Sequence, residues 1–339
     1  MAASASWLRL RRPLDNGVSE ASRSAFRVPG SGLRRVPNAE RGTRNAERRA
    51  GDLWTIFVHL RLHFQLLLAP VFLWGWLLAG GGLSAPVIIG FVAFHFFLYS
   101  GATAFNSYYD RDVGPVGGLA RPPPVNPLLL PVSLALKVVG WLLAAFVNLP
   151  FWFAYGAFFV LSIAYSHPRV RLKAHTLTSL LVVGFGQGAL AFLAAWAATR
   201  GEIASAGSVD GALGAAAAVL LILALYPLTQ LYQVDEDAAR GDRTVAVAWG
   251  AAGCFTFALT CTILGGLAML VVLARRFGLA DALLVGLGLA LQLAAIGWLK
   301  RGFDSRAVLA TYRRVMGVNA FSSSALGAYL LVRLASGSG

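Results

Sequence analysis

The sequence has few charged residues: Asp, Glu, Lys and Arg make up 13% of its 339 residues, whereas 57% are hydrophobic. Soluble domains carry about 25% charged residues. The only cysteines, Cys254 and Cys261, lie seven apart in one apolar run, which argues against a disulfide framework. Residues 1–50 contain no apolar run long enough for the core of a cleaved secretory signal. These absences argue against a soluble domain and a secreted, disulfide-stabilised protein.

Apolar runs of about 20 residues recur from Leu53 onward, each long enough to cross a bilayer core of about 30 Å. We therefore predict an all-α polytopic membrane protein, a bundle of about nine transmembrane helices within residues 51–335. Only residues 148–150 separate the third span from the fourth. The predicted spans are 55–79, 85–107, 127–147, 149–166, 177–198, 212–232, 247–273, 280–299 and 308–333.

Half of the net charge of +14 lies in residues 1–50, which carry 11 Arg against four acidic residues. We predict a disordered, Arg-rich N-terminal extension. Its composition also suits a mitochondrial transit peptide, but its four acids favour an unstructured extension on a bacterial inner-membrane protein. The remaining cations lie in short loops, where Lys and Arg indicate membrane topology. We therefore expect no nucleic-acid partner.

The loops after the second, fourth, sixth and eighth spans share one face of the membrane with the N-terminus. This face carries more Lys and Arg than the opposite face, so the positive-inside rule predicts that it is cytoplasmic. Its loop cations are Arg111, Arg121, Arg169, Arg171, Lys173, Arg240, Arg243, Lys300, Arg301 and Arg306. Those of the opposite face are Arg200, Arg275, Arg276 and Arg333.

Two polar stretches on the predicted cytoplasmic face are rich in acidic residues. In the first cluster, residues 106–124, Asn106 and Asp110 are four apart and share one face if the second helix continues. In the second cluster, residues 230–244, Gln233 and Asp237 repeat that spacing. Tyr226, Gln230, Gln233 and Asp237 are predicted to form one stripe along the sixth helix. Two acidic clusters at the mouths of membrane helices are hard to explain by packing.

Polar residues within the spans are sparse, and we expect His95 and Gln187 to point inward because each is costly in lipid. Hydrogen bonding between helices is the alternative explanation. The glycine-rich run 184–188 lies inside an apolar span, with no preceding strand and no Lys, so it does not indicate a nucleotide loop. We predict that this run permits close helix packing.

Facing carboxylate and amide oxygens, with Arg and Lys behind them, suit a Mg2+ ion that carries a diphosphate. The loop from Tyr165 to Lys173 lies on the same face and contains Arg171. Cytoplasmic loops are basic in any case, so this loop alone indicates only topology. Beside two acidic clusters, it is a candidate source of phosphate-binding cations.

Three segments resemble the motifs of the UbiA superfamily of intramembrane prenyltransferases. They are Asn106-x-x-x-Asp110-Arg111, Tyr165-Ser166 followed by Pro168 and Arg171-x-Lys173, and Asp237-x-x-x-Gly241-Asp242-Arg243-Thr244. The resemblance covers nearly all of the chain after Leu53. It implies a helical bundle with a lateral opening to lipid. It also implies transfer of a prenyl group from a polyprenyl diphosphate to an aromatic or other lipophilic acceptor, with Mg2+ bound by the two Asp-rich motifs.

The resemblance also implies roles for individual residues. The residues expected to act in catalysis are Asp110, Asp237, Arg171 and Lys173. The residues expected to bind the substrates are Asn106, Arg111, Arg121, Tyr165, Gln233 and Arg243. The residues expected to hold Mg2+ are Asn106, Asp110, Gln233 and Asp237.

The chain departs from the family pattern at three motif positions. Ser107 and Gly114 stand where the first motif usually has Asp, and Gln233 stands where the second does. A neutral ligand attracts Mg2+ less strongly than an ionised one, which bears on the number of ions bound and on activity. Four acids outside the motif register are candidates to compensate: Asp112, Asp235, Glu236 and Asp242.

The lost acids motivate a second hypothesis, a catalytically altered or inactive family member that binds an isoprenoid lipid or a partner subunit. A transporter would show charged residues near the bilayer centre or broken helices in matching halves. Neither feature is evident. A CDP-alcohol phosphotransferase would carry an Asp-Gly-x-x-Ala-Arg signature, which the sequence lacks.

Overall fold

The computed structural model describes residues 51–337, and the predicted N-terminal extension lies outside them. Eight helices in the described chain are long and apolar enough to cross a membrane. They are α1 (Gly51–Leu78), α2 (Ala85–Asp110), α4 (Leu149–Ser166), α5 (Thr176–Arg200), α6 (Val209–Gln230), α7 (Val245–Arg276), α8 (Leu279–Arg301) and α9 (Val308–Ala335). The ninth, α3 (Leu129–Ala144), is apolar but has 16 residues and a length of about 24 Å. The all-α prediction is confirmed.

Residues 148–150 explain why α4 begins as a helix separate from α3. Asn148 caps α4, because its side chain accepts a hydrogen bond of 2.9 Å from the backbone N–H of Phe151. Pro150 lies in the first helical turn, where its missing N–H costs nothing. The third and fourth predicted spans are therefore separate helices.

Several helices are interrupted near the predicted cytoplasmic face. Helix α1 breaks at Arg61, whose φ of 51° lies in the left-handed region, and α2 ends at Arg111 with a φ of 50°. Arg171, with a φ of 42°, precedes a 3-10 turn at Leu172–Ala174. These arginines are the non-glycine residues with positive φ in the described chain. Each therefore marks a point where the backbone changes direction.

Two transmembrane helices contain π-helical segments, Ala93–Tyr99 in α2 and Gly184–Leu190 in α5. The second segment holds the glycine-rich run. A Cβ at Gly188 would lie 2.6 Å from the Cα of Val219 in α6, and one at Gly186 would lie 2.9 Å from the ring of Phe158. The prediction that these glycines permit close helix packing is confirmed.

The predicted stripe from Tyr226 to Asp237 does not lie on one continuous helix, because α6 does not continue regularly through the second cluster. Its four residues nevertheless line one cavity. The last turn of α6, Pro227–Gln230, is a 3-10 helix, and a separate short helix runs from Val234 to Ala239. Gln233 and Asp237 still form a pair, because the Asp237 backbone N–H donates to the Gln233 carbonyl at 2.9 Å. The chain bends here, so the second cluster turns toward the end of α2.

Candidate active site

The last turn of α2 presents Asn106 and Asp110 on one face, as the sequence predicts. The Asn106 Oδ1 accepts hydrogen bonds from the Ser166 hydroxyl and the Lys173 ammonium, each at 2.9 Å. Asp110 pairs with Lys173 and with Arg171, whose Nη1 lies 3.2 Å from the Asp110 Oδ1. The loop after α4 thus neutralises the end of α2.

Arg171 joins the first cluster to the second. Besides Asp110, its guanidinium donates two hydrogen bonds to the Asp242 carboxylate, at 2.9 and 2.8 Å. Such a two-point contact fixes the orientation of the two side chains and pairs their opposite charges. The backbone reinforces this junction, since the Arg243 N–H donates to the Ala174 carbonyl at 2.7 Å. The two acidic clusters and the basic loop therefore form one continuous network.

Arg240 lies at the centre of the second cluster. Its Nη1 is 2.8 Å from the Asp112 Oδ1, its Nη2 is 2.8 Å from the Asp237 Oδ1, and its Nε is 3.7 Å from Asp242. The Thr244 hydroxyl donates to the other oxygen of Asp237 at 3.2 Å. One guanidinium therefore contacts acids from both clusters.

Two acids of this network differ in proton affinity. Burial raises the pKa of Asp237 above its ordinary value, although the hydrogen bond from Arg240 opposes this shift. Burial also disfavours the charge of Asp242, but the hydrogen bonds and charge of Arg171 outweigh it and lower the pKa. The pKa of Arg171 is raised, chiefly by its hydrogen bond to Asp242. On acidification, Asp237 therefore takes up a proton before Asp242 does.

Glu236, from the second cluster, contacts the backbone of the first. Its Oε1 accepts hydrogen bonds from the N–H groups of Gly114, at 2.7 Å, and Val113, at 3.2 Å. Gly114 is the position where the first motif lacks its usual Asp. A carboxylate therefore lies beside that position, although it comes from another helix. Asp235, the adjacent acid, is exposed.

The network borders a cavity of about 250 Å³ that extends from the clusters into the bundle. Six of the predicted site residues line it: Asn106, Asp110, Tyr165, Lys173, Gln233 and Asp237. Arg240 and Asp242 line it as well. Deeper in the bundle the walls are largely apolar, with Leu67, Leu68 and Phe158 among them. The cavity thus combines a charged end with an apolar interior.

Four predicted residues do not line this cavity. Arg171 lies behind the carboxylates of Asp110 and Asp242, which it contacts. The other three, Arg111, Arg121 and Arg243, are exposed. Arg111 ends α2, and Arg243 acts through its backbone, since its carbonyl accepts a hydrogen bond of 2.7 Å from the Thr176 hydroxyl. The structure therefore separates cations at the cavity from cations on the surface.

Arg61 is a cavity residue that the sequence analysis missed. It lies where α1 breaks, is only 4% exposed, and donates hydrogen bonds to the Ser107 hydroxyl at 2.6 Å and the Gly117 carbonyl at 3.0 Å. Among the residues described, it lines the cavity without forming an ion pair. The sequence signal for such a cavity residue is an Arg that lies inside a predicted transmembrane span.

Comparison with known proteins identifies the family. The UbiA prenyltransferase family model matches residues 67–325. This chain belongs to the UbiA prenyltransferase family. The protoheme IX farnesyltransferase of Aeropyrum pernix is 32% identical over 164 residues, which are 44% of this chain and 51% of that relative. The matched part of the chain thus spans about half the length of the curated relative.

Solved structures share the UbiA fold. A UbiA homolog from Archaeoglobus fulgidus bound to GPP and Mg2+ superposes with a TM-score of 0.60 and 16% identity, over 80% of this chain and 99% of that one. A digeranylgeranylglyceryl phosphate synthase gives a TM-score of 0.57 and 15% identity, over 83% of this chain and 99% of that one. At these identities the likeness concerns the fold. With its long apolar helices, the chain is an integral membrane protein.

The UbiA family implies a divalent cation, and the side chains at the charged end fit one. Within residues 51–337, no three His, Cys, Asp or Glu side chains are arranged to hold a metal by themselves. Mg2+ is usually held by one or two carboxylates together with substrate phosphates, so a smaller set suffices. The Asp112 Oδ2 and the Glu236 Oε2 are buried and lack hydrogen-bond partners in the described chain. A bound cation would give these two oxygens a partner of the kind that Mg2+ sites supply.

Proposed function

We propose that this protein is an intramembrane prenyltransferase that moves a prenyl group from a polyprenyl diphosphate to a lipophilic acceptor. The observation that carries the proposal is the cavity, whose mouth holds acids and cations and whose interior is apolar. The mouth suits a diphosphate and the interior suits an isoprenoid chain. The Archaeoglobus fulgidus homolog that shares the fold is bound to GPP and Mg2+.

Two cations at the cavity wall are suited to bind the diphosphate. Within residues 51–337 the Arg61 guanidinium forms no ion pair, so its charge is available to phosphate oxygens. Lys173 contacts Asn106 and Asp110 and adds a positive charge. Arg171, behind the carboxylates, and Arg240, in the cavity wall, hold the carboxylates in place. Positive charge arranged in this way stabilises the diphosphate as the bond to the prenyl carbon breaks.

Asp110 and Asp237, with the amide oxygens of Asn106 and Gln233, are the residues that would hold Mg2+. The ion would neutralise the charge on the departing diphosphate. Cleavage of the allylic C–O bond leaves the electron pair on the diphosphate and a positive charge on the prenyl group. The acceptor then donates an electron pair to the first prenyl carbon and loses a proton. We propose that the ring of Tyr165, which lines the cavity, stabilises the allylic cation.

We further propose that the charged end of the cavity opens to the cytoplasm of a bacterial inner membrane. The excess of Lys and Arg in the loops after α2, α4, α6 and α8 supports this orientation. The polyprenyl diphosphate would then bind from the cytoplasmic side, while the acceptor enters from the lipid bilayer.

One observation favours a second candidate, a family member that binds an isoprenoid without turning it over. Ser107, Gly114 and Gln233 replace three motif acids, and Asp110 and Asp237 are already paired with cations. If these pairs persist when diphosphate binds, ionisation of the C–O bond is not assisted. This candidate predicts binding of polyprenyl diphosphates without release of diphosphate.

The test uses membranes that contain the full chain, Mg2+, and geranyl, farnesyl and geranylgeranyl diphosphates with a panel of aromatic and tetrapyrrole acceptors. Prenylated product and released diphosphate are measured. We expect product from the wild type, a loss of at least a hundredfold in Asp110→Asn and Asp237→Asn, and nearly full activity in Asp235→Asn, whose acid is exposed. Tight binding with no release of diphosphate from any donor would favour the second candidate.

A further inference from the structure

Helix α3 carries a buried lysine to which the proposed reaction assigns no role. Lys137 has an exposed fraction of 0% and forms no ion pair in the described part of the chain. Its Nζ donates a hydrogen bond of 3.3 Å to the Ser162 hydroxyl of α4, the one hydrogen-bond partner of this side chain among residues 51–337. An ionisable group is costly inside a membrane bundle, so its presence indicates a function.

The helices around Lys137 accommodate its side chain without supplying a counter-charge. A Cβ at Gly101 in α2 would lie 2.6 Å from the Lys137 Cγ, so the glycine leaves room for the lysine. The Lys137 Nζ lies 4.1 Å from the centroid of the Phe105 ring and 5.4 Å from that of the Phe159 ring. Burial without an acidic partner favours the neutral amine as the resting form. The two ring faces are suited to stabilise the ammonium that forms when the amine takes up a proton.

Ser162 connects Lys137 to the cavity. It lines the cavity together with Ser166, which lies one helical turn, about 6 Å, nearer the charged end of the cavity. The Ser166 hydroxyl donates to Asn106, one of the residues proposed to hold Mg2+. Ser162 therefore lies one turn deeper than the proposed ion, where the first prenyl carbon follows the diphosphate. Its own hydroxyl donates to the Phe159 carbonyl at 2.7 Å and can turn toward Lys137 by rotation about one bond.

The proposed prenyl transfer releases one proton from the acceptor, and this proton must pass to a base near the first prenyl carbon. Building on that proposed function, we propose that Lys137 is the base and that Ser162 relays the proton to it. The Ser162 Oγ takes the proton from the acceptor while its own proton moves to the lone pair of the Lys137 Nζ. The electron pair of the broken bond stays on the acceptor. After the products leave, the ammonium returns its proton through Ser162 to water.

The experiment distinguishes proton transfer from a structural role of the lysine. Membranes that contain the full chain are supplied with Mg2+, the panel of prenyl diphosphates and the panel of acceptors, and prenylated product is measured. Lys137→Met removes the amine but keeps the length of the side chain. We expect it to slow product formation by about a hundredfold, with the KM for the prenyl diphosphate within about twofold of the wild-type value.

Three further variants test the relay. Lys137→Arg keeps a positive charge near the rings but cannot act as a base, so it should be as slow as Lys137→Met. Ser162→Ala, which leaves the lysine in place, should also be slow. Ser162→Thr retains the hydroxyl and should recover much of the activity.

Ser133→Ala is the matched control. The Ser133 hydroxyl is buried and, like that of Ser162, donates at 2.7 Å to the carbonyl three residues before it, but Ser133 does not line the cavity. This variant should keep wild-type activity. Thermal unfolding in detergent identifies variants that fail to fold; if both Lys137 variants fail, Ser162→Ala decides.

Wild-type rates in folded Lys137→Met or Ser162→Ala would overturn the proton relay and leave the proposed function intact. Wild-type rates in Lys137→Arg alone would also overturn the relay, because they would show that the charge of Lys137 matters and not its basicity. Absence of product from the wild type with every donor and acceptor would instead refute the proposed function, and the relay with it.

Discussion

The Glu236 carboxylate lies beside Gly114, with its Oε1 2.7 Å from the Gly114 backbone nitrogen, although the two residues are 122 positions apart. A Cβ at Gly114 would lie only 3.2 Å from the same oxygen. Where the first motif lacks an acid, the second cluster supplies one, and the glycine leaves room for it. This contact links the loop after α2 to the short helix Val234–Ala239.

Glu236→Ala should destabilise the protein by about 1 to 3 kcal/mol, because the N–H groups of Gly114 and Val113 lose their acceptor. Thermal unfolding in detergent measures the change. Asp235→Ala, on the same short helix but exposed, should change stability by less than about 0.5 kcal/mol. Equal effects of the two substitutions would contradict a structural role for the Glu236 contact.

Arg171→Gln should reduce prenyl transfer by about a hundredfold and stability by about 2 kcal/mol, because Asp242 and Asp110 lose a charged donor. Arg171→Lys should recover part of the stability, since the charge remains but the two-point contact with Asp242 does not. Arg169→Gln, in the same loop and exposed, is the control. If Arg171→Gln and Arg169→Gln behave alike in both assays, the network does not hold the site together.

The contributions of Asp242 and Asp237 to the stability of the protein should change with pH in opposite directions. Stability is measured without divalent cations. The folded-state pKa of Asp242 is lowered, so its contribution is present above the unfolded pKa of about 3.8 and is lost as pH falls through the folded value. The pKa of Asp237 is raised, so its contribution is present below about 3.8 and is lost as pH rises through the folded value.

Between pH 3 and 7, the melting-temperature advantage of the wild type over Asp242→Asn should therefore grow with pH. Its advantage over Asp237→Asn should shrink. Parallel curves for the two variants would show that the contacts of Arg171 and Arg240 do not separate the pKa values of these acids.

Arg61→Gln should raise the KM for the prenyl diphosphate by about tenfold or more, because it removes a cavity-lining cation that forms no ion pair in the described part of the chain. The KM for the acceptor should change little. Arg306→Gln, exposed between α8 and α9, should leave both constants within about twofold. If Arg61→Gln changes neither kcat nor the KM for the prenyl diphosphate, Arg61 lies outside the diphosphate site.

Gly188→Ala should destabilise the bundle by about 1 to 3 kcal/mol, since the added Cβ would lie 2.6 Å from the Val219 Cα and force α5 away from α6. Gly288→Ala is the matched control in α8, where nothing lies within 4 Å of the added Cβ. Removing that helical glycine should be neutral or stabilising by up to about 1 kcal/mol. Thermal unfolding distinguishes the two.

The sequence predicts best where the backbone is regular. Asn106 and Asp110 lie on one face because α2 continues to Asp110, and spacing alone is enough to place them. For Tyr226 to Asp237 the same reasoning predicts a shared surface, and all four residues of the stripe line the cavity. It misses the 3-10 turn at Pro227–Gln230 and the bend after it, which interrupt the helix. Regular spacing does not reveal such an interruption.

Contacts between distant segments were beyond prediction from the sequence. Nothing in the chain order indicates that Glu236 reaches Gly114, or that Arg240 contacts Asp112. The loops after α2, α4 and α6 meet in one ion-pair network. Spacing does not distinguish Lys173, which lines the cavity, from Arg121, which is exposed. That distinction depends on how the loops fold over the helix ends.

The left-handed backbone conformations of Arg61, Arg111 and Arg171 are locally destabilising. An L-residue in this conformation costs about 1 to 2 kcal/mol, which glycine at the same place would largely avoid. Glycine at Arg61 or Arg171 would therefore relax the backbone while removing a guanidinium from the site or from its support. Selection for higher thermal stability alone is expected to favour glycine at Arg111, whose side chain is exposed, but not at Arg171, where loss of the pairs with Asp110 and Asp242 offsets the gain.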